Sequence, residues 1–391
     1  MQKKDVYLVA GKRTAITNFC SSFSKTPAHH LTKHLISHLL QTYSLEKNVI
    51  DEIIIGQVIT AGCGQNPARQ AAIEANIDFS TAAWTINQMC ASGLKSVILG
   101  AQSIANTDNN LVIAGGQENM SLAPHALHLR SPPRMGHFSM KDLVLIDGLI
   151  DAFGEYHMGV TAENLATKYN ISREEQDQFA HNSHIKAAKA IGKFSNEILP
   201  IEVSTKKGYQ TIKNDEFIKP DTTIPILASL KAAFVANGTV TAGNAAGIND
   251  GAACLLLSST EGCKKHNLQP KAKIVSYAQH GVDPSIMGIG PVIASRKALK
   301  KANWQVDDLD LIEINEAFAA QVIAVNKEMK WDTSRQNING GAIALGHPIG
   351  ASGSRCLVTA MNEMETEKLS KCLITLCAGG GMGIALCIEK V

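Results

Sequence analysis

Short apolar runs alternate along the chain with stretches whose apolar side chains recur every three or four residues. The runs at 6–10, 53–58, 111–114, 252–257, 273–278, 311–314, 373–376 and 384–388 predict strands. Leu94, Val97, Ile98, Ala101, Ile104 and Ala105 fall at helical spacing and predict a helix over 94–105. The spacing predicts two more helices over 161–169 and 173–191. Strands alternating with helices indicate an α/β fold.

The order of elements repeats. A strand over 53–55, a helix opened by Ala91-Ser92-Gly93 and a strand over 111–114 ending in Gly115-Gly116 form one series. A strand over 311–314, Ala351-Ser352-Gly353 and a strand over 373–376 leading to Gly379-Gly380 form the second. The pattern predicts duplicated halves. Residues 119–238 fit neither; with Pro124, Ser131-Pro132-Pro133 and a turn at Lys206-Lys207-Gly208, they read as an inserted cap or lid.

Composition narrows the class. Of 391 residues, 45% are hydrophobic and 18% charged, enough for large cores and too apolar for a disordered chain. The net charge is +2, so no strong field favours a nucleic acid or an acidic membrane. The start, Met1-Gln2-Lys3-Lys4, runs into the first strand with no signal-peptide pattern, and the end matches no organellar address. The uncharged run from Cys372 to Ile388 is shorter than the ~20 residues of a spanning helix and is broken by Gly379-Gly380-Gly381; it reads as two strands and a turn. The expectation is a soluble, cytoplasmic enzyme. Nine cysteines without a C-x-x-C predict free thiols, with no disulfide framework and no metal site. His29, His30, His34 and His38 read as ordinary surface residues.

Three segments carry possible chemistry. Cys90 follows an extended stretch and precedes the 94–105 helix, whose dipole and free N–H groups favour a thiolate nucleophile; a packing cysteine is the alternative. His347 sits in a loop with five glycines between 340 and 353, held out of helical geometry by Pro348, as suits a general base; an exposed loop histidine is the alternative. Cys377 precedes a glycine turn that opens a strand rather than a helix, so it offers N–H groups for an oxyanion and little support for a dinucleotide. Asn315, after the 311–314 strand, is either a polar group delivered to a site or a helix cap. Zinc proteases, P-loop NTPases and serine hydrolases have no motif here.

Taken together, Asn87-Gln88-Met89-Cys90-Ala91-Ser92-Gly93-Leu94, Asn315-Glu316-Ala317-Phe318, Gly346-His347-Pro348-Ile349-Gly350-Ala351-Ser352-Gly353 and Cys377-Ala378-Gly379-Gly380-Gly381-Met382-Gly383 resemble the thiolase family over nearly the whole chain. Tyr156-His157-Met158-Gly159 is similar to the biosynthetic, short-chain branch. The resemblance implies a five-layer α/β/α/β/α fold of two duplicated halves with an inserted loop domain: 1–118 plus 239–268 as the N-terminal half, 119–238 as the loop domain and 269–391 as the C-terminal half. It implies Claisen condensation of two acetyl-CoA molecules to acetoacetyl-CoA and free coenzyme A. Cys90 would be the acetylated nucleophile, His347 its base and Cys377 the second acid/base. The N–H groups of Cys90 and Gly379 would form one oxyanion hole, and His347 with a water on Asn315 the other. Leu149, His157, Met158, Lys219, Phe234, Ala242, Ala246, Met287 and Phe318 would contact coenzyme A or the acyl group. Acetyl-CoA, acetoacetyl-CoA and coenzyme A are the implied partners, coenzyme A as substrate and product rather than cofactor, in a homo-oligomer built as a dimer of dimers.

Two positions depart from the family. Ala246 replaces a common serine, which should cost one coenzyme A contact about 1 kcal/mol. Gly11-Lys12-Arg13-Thr14 departs from the usual small residues before Arg-Thr, with no functional reading from sequence. A decarboxylating ketoacyl synthase and a non-catalytic acyl carrier compete; Cys377 argues against the first, and the full set Cys90, His347, Cys377 and Asn315 against the second.

Overall fold

Every predicted strand forms in the computed structural model, which describes residues 4–106, 109–131, 134–205 and 208–391. The strands share one ten-stranded sheet. Its order is Leu311–Ile314, Lys371–Ala378, Met382–Lys390, Ala272–Gly281, Val6–Arg13, Asn249–Ser259, Leu111–Asn119, Glu52–Gly56 and Ala82–Ile86, with Thr17–Asn18 added beside Asn249–Ser259.

The duplication is visible in the pairing. In the first half Ala82–Ile86, Glu52–Gly56 and Leu111–Asn119 run parallel, followed by antiparallel Asn249–Ser259 and Val6–Arg13. In the second, Leu311–Ile314 and Lys371–Ala378 are parallel, followed by antiparallel Met382–Lys390 and Ala272–Gly281. A parallel bridge from Ile312 to Gln336 stands where Ala82–Ile86 pairs in the first half. The halves meet edge to edge through Tyr7 opposite Lys273 and Leu8 opposite Ala272, which joins them into a continuous sheet.

Three apolar clusters define the layers. Helices Ser92–Asn106 and Ser352–Thr366, both opened by the repeated Ala-Ser-Gly, lie in the middle and pack against strands of both halves. Ala28–Thr42 and Pro67–Glu74 cover the outer face of the first half, and Gly290–Ala302 and Ala319–Met329 that of the second. This is the five-layer α/β/α/β/α arrangement. The two central helices approach closely at their starts: a Cβ on Gly93 would lie 2.8 Å from Ser354 N, and one on Gly353 only 2.4 Å from Leu94 N. Any side chain at either position would force the layers apart.

The helix Ala28–Thr42 was not among the sequence expectations, although Leu31, Leu35, Ile36, Leu39 and Leu40 bury one face at helical spacing. Residues 119–238 contain a π-helical turn at Val144–Leu149, helices Met158–Lys168 and Arg173–Ala190, and the hairpin Ile201–Thr205 with Gly208–Ile212. Pro132, Pro133, Lys206 and Lys207 lie outside the described residues. Helix Arg173–Ala190 packs on Ala342–Leu345 and on Ala319–Met329, so this segment enters the body as well as covering it.

Arg13 ties the segment down. Its fully buried guanidinium bonds Glu197 at 2.6 Å and Asp215 at 2.7 and 2.9 Å, and lies 5.2 Å from the centre of the Phe194 ring. That gives the arginine of Gly11-Lys12-Arg13-Thr14 a structural reason: it holds the insertion to the first strand. Among the described residues no helix is long and apolar enough to cross a membrane.

Candidate active site

The two central helices point their starts at one cavity of about 390 Å³. Its wall includes Cys90, Leu149, His157, Met158, Lys219, Phe234, Ala242, Ala246, Met287, Phe318, His347 and Gly379, all expected from sequence. Asn315 and Cys377 stand just behind it. Asn315 Nδ2 lies 3.5 Å from His347 Nε2, and Cys377 belongs to the apolar cluster of Met158, Met287 and Phe318.

Cys90 sits on a tight turn rather than within the helix. Met89, just before it, is held at φ 51°, an unfavourable value for a side-chain-bearing residue. Asn87 Oδ1 accepts from Met89 N at 2.8 Å, and Ser92 Oγ accepts from Gln88 N at 2.8 Å and donates to Met89 O at 2.6 Å. This brace presents the thiol to the cavity. The N–H groups of Gly379 and of Cys90 itself are directed at the sulfur.

The expectation of a resting thiolate is not met. Burial pushes the Cys90 thiol up to about 11, outweighing the N–H groups that favour the anion, and the nearby Glu118 adds to the rise. Cys377 is fully buried and is raised further, by burial first and then by its neighbour Cys90. Both cysteines are therefore thiols at neutral pH, and Cys90 needs a base.

His347 is that neighbour. Gly346, at φ +103°, leaves no room for a side chain, since a Cβ would lie 2.5 Å from Asn249 Cγ; the turn delivers the next residue into the cavity. Asn249 Oδ1 accepts from His347 N at 2.9 Å. His347 Nδ1 lies 2.5 Å from Ser352 Oγ, whose hydroxyl also reaches Pro348 O at 3.0 Å. Burial, reinforced by the positive Arg355, pushes the imidazole down to about 3, so it is neutral at pH 7.

Two buried carboxyls hold the surrounding loops. Glu118 accepts from Val58 N at 3.0 Å, Ile59 N at 3.2 Å and Gly350 N at 3.0 Å, linking the first half to the His347 loop. Glu316 accepts from Ser183 Oγ at 2.7 Å, Asn337 Nδ2 at 2.8 Å and Ile343 N at 3.2 Å. Asn315 is not a helix cap: the following helix starts at Ala319 after Phe318, and the Asn315 amide turns to His347 instead.

The entrance is aromatic on one side. His157 caps helix Met158–Lys168 and stacks on Phe234 with ring centres 4.6 Å apart, and Phe234 meets Phe318 edge-on at 6.1 Å. Exposed Lys219 places its ammonium 5.0 Å from the Phe217 ring centre. Phe217, Met120, Ile248 and Ile349 also line the cavity and were missed. They come from separate loops, and no local spacing marks them.

Residues 6–261 match the thiolase N-terminal domain and residues 268–390 the thiolase C-terminal domain. Acetyl-CoA acetyltransferase of Rhizobium meliloti (strain 1021) is 51% identical over 393 residues, covering 100% of both chains. The protein of that name from Pseudomonas aeruginosa is 53% identical over 391 residues, covering 99% of this chain and 100% of its own. Among solved structures, Bacillus anthracis acetyl-CoA acetyltransferase superposes with TM-score 0.98 at 41% identity, over 100% of both chains. Human mitochondrial 3-ketoacyl-CoA thiolase does so with TM-score 0.96 at 39% identity, again over 100% of both. With both domains matched in order and full-length relatives at this identity, the chain belongs to the thiolase family.

Proposed function

We propose that the protein is an acyltransferase that condenses two acetyl-CoA molecules, reversibly, to acetoacetyl-CoA and coenzyme A. The observation that carries this reading is the convergence on one cavity of a braced thiol, a neutral buried imidazole and two N–H groups aimed at the sulfur. The full-length relatives named acetyl-CoA acetyltransferase support the substrate.

In the first half-reaction the Cys90 proton passes to His347 Nε2 and the sulfur adds to the thioester carbonyl. His347, now cationic, and a water on Asn315 hold one oxyanion; the N–H groups of Cys90 and Gly379 hold the other. The bond to coenzyme A breaks, and the departing thiolate takes the proton of Cys377. In the second, the Cys377 thiolate removes a proton from the methyl of another acetyl-CoA. The carbanion attacks the acetyl-cysteine, the bond to Cys90 breaks, and its sulfur recovers the proton from His347. Each group ends as it began.

Timing follows from the electrostatics. A Cys90 anion raises the Cys377 thiol; acetylation removes that charge when Cys377 must act as a base. Lys219 and Phe234 suit the phosphates and adenine of coenzyme A, and the alanines at 242 and 246 leave room for its thin pantetheine arm.

The division into 1–118 with 239–268, 119–238 and 269–391 belongs to the same proposal, supported by the break between the two matched domains. So does a homotetrameric, cytoplasmic enzyme: Leu129, Met135, Phe138 and Met140 are each exposed on the insertion, apolar side chains that suit contact between copies. The test of the reaction is brief incubation with labelled acetyl-CoA. One acetyl group per subunit should be trapped on Cys90; label on another residue, or none, overturns the assignment.

A further inference from the structure

Outside this cavity, two histidines and a glutamate converge where the first two helices cross. His29 and His30 begin helix Ala28–Thr42, and Glu74 ends helix Pro67–Glu74. His29 Nε2 lies 3.3 Å from Glu74 Oε1, and His30 Nε2 lies 3.3 Å from Glu74 Oε2. One ligand atom from each residue falls within 4.8 Å of the other two. The imidazole rings stand edge to face, their centres 4.5 Å apart at 75°.

Nothing about helix packing calls for this arrangement. Adjacent helix residues diverge by about 100°, so the amphipathic pattern that buries Leu31 and Leu35 would send His29 and His30 to different sides. Instead both rings turn to the same carboxylate. Glu74 Oε2 is buried and receives no hydrogen bond, so the contact with His30 is close without being satisfied.

Two of the three separations match a coordination sphere. Ligand atoms about 2.0–2.1 Å from a tetrahedral ion sit about 3.3–3.4 Å from each other, the separation found between the carboxylate and each ring. His29 also lines a separate cavity of about 250 Å³ with Gln57, Cys63, Pro67 and Asn119.

We propose that His29, His30 and Glu74 form a binding site for one divalent first-row transition ion, of the Zn²⁺ or Co²⁺ class, outside the acetyl-transfer machinery. Two imidazoles and one carboxylate are borderline donors that favour such ions over Mg²⁺ or Ca²⁺, which take oxygen ligands. Bound there, the ion would clamp the start of one outer helix to the end of the next.

The full-length protein, with Cys20→Ser and Cys63→Ser to remove competing thiols, would be titrated with Zn²⁺ by calorimetry and with Co²⁺ by visible absorption. The expected result is one ion per subunit, a tetrahedral Co²⁺ band and a Tm that rises with Zn²⁺. His30→Ala and Glu74→Gln should each weaken binding by about tenfold or more and abolish the Tm rise. Unliganded Tm and acetyl transfer should stay unchanged, which separates loss of a ligand from loss of the fold. Binding that is equal in the parent and both variants, or that is lost only when Cys90 is replaced, overturns the site. Failure of this experiment leaves the acetyltransferase reading intact.

Discussion

Ser352 Oγ lies 2.5 Å from His347 Nδ1 and also reaches Pro348 O at 3.0 Å, so the serine that opens the second central helix sets the tautomer of the base. With its one hydrogen on the carbonyl, Ser352 accepts from Nδ1, and Nε2 keeps a free lone pair. The Asn315 amide stands 3.5 Å from the same Nε2. Ser352→Ala should release the ring. We expect kcat to fall by about 10–100-fold with little change in KM for acetyl-CoA, because the loss is orientation of a base rather than a substrate contact. Steady-state kinetics check this; a rise in KM at unchanged kcat would assign Ser352 to binding.

Cys377→Ala separates the two thiols. Cys90 should still be acetylated, more slowly, while condensation and thiolysis fall by about 10²–10⁴-fold. Single-turnover mass spectrometry measures acetylation apart from the full cycle. Equal loss of both would make Cys377 a packing residue of its apolar cluster.

The strands were legible because each is a short apolar run ending in glycine or a polar pair, and the duplication because Ala-Ser-Gly recurs at one place in the order. The helix Ala28–Thr42 is as periodic as the 94–105 helix, with Leu31, Leu35 and Leu39 on its buried face, but His29, His30, His34 and His38 interleave with them and blur the pattern. Cys90 and His347 were legible as turn residues beside helix starts. Their protonation states were not: burial of Cys90 depends on Met120, Leu149 and Ile349, which approach from distant segments. Phe217 was missed for the same reason.

Stability should fall as pH rises from about 6.5 to 8. Burial raises Glu118 to about 8 and Asp250 to about 6 from ordinary values of 4.5 and 3.8. Between its unfolded and folded values each carboxyl binds more proton when folded, so stability is lost as pH rises through that window. His347 and His184 act oppositely. Burial lowers them to about 3 and about 4, so folding sheds their protons and is favoured as pH rises towards 6.5. Above 6.5 the histidines are neutral in both states, and Glu118 acts together with Glu313, whose carboxyl burial also raises to about 8. Urea unfolding at pH 6.5 and 8.0 should show the decline, and Glu118→Gln should make it shallower, leaving the part due to Glu313. A slope unchanged in that variant would mean Glu118 titrates normally.

The acyl pocket should admit short chains only. Met287, on the turn Pro284–Ile289, and Met158, at the start of its helix, are 3% and 8% exposed and pack with Cys377 and Phe318 behind the reacting thiol. His157 stacks on Phe234 next to Met158, which limits how far that helix start can yield. Each methylene pushed into this closed apolar wall loses its own burial and adds strain of about 1–3 kcal/mol. Acetoacetyl-CoA should therefore be cleaved about 10–10³-fold better than 3-ketohexanoyl-CoA in kcat/KM. Shape alone does not decide this, because the human 3-ketoacyl-CoA thiolase superposes with TM-score 0.96. Met287→Ala supplies the sharper test: opening the wall should raise kcat/KM for the six-carbon substrate while lowering it for acetoacetyl-CoA. Methionine bends more readily than leucine or phenylalanine, so a 2-methyl branch should be handled better than two further methylenes in line. Equal kcat/KM for four and six carbons in the unmodified enzyme would leave the acetyl-cysteine chemistry standing and overturn the short-chain assignment.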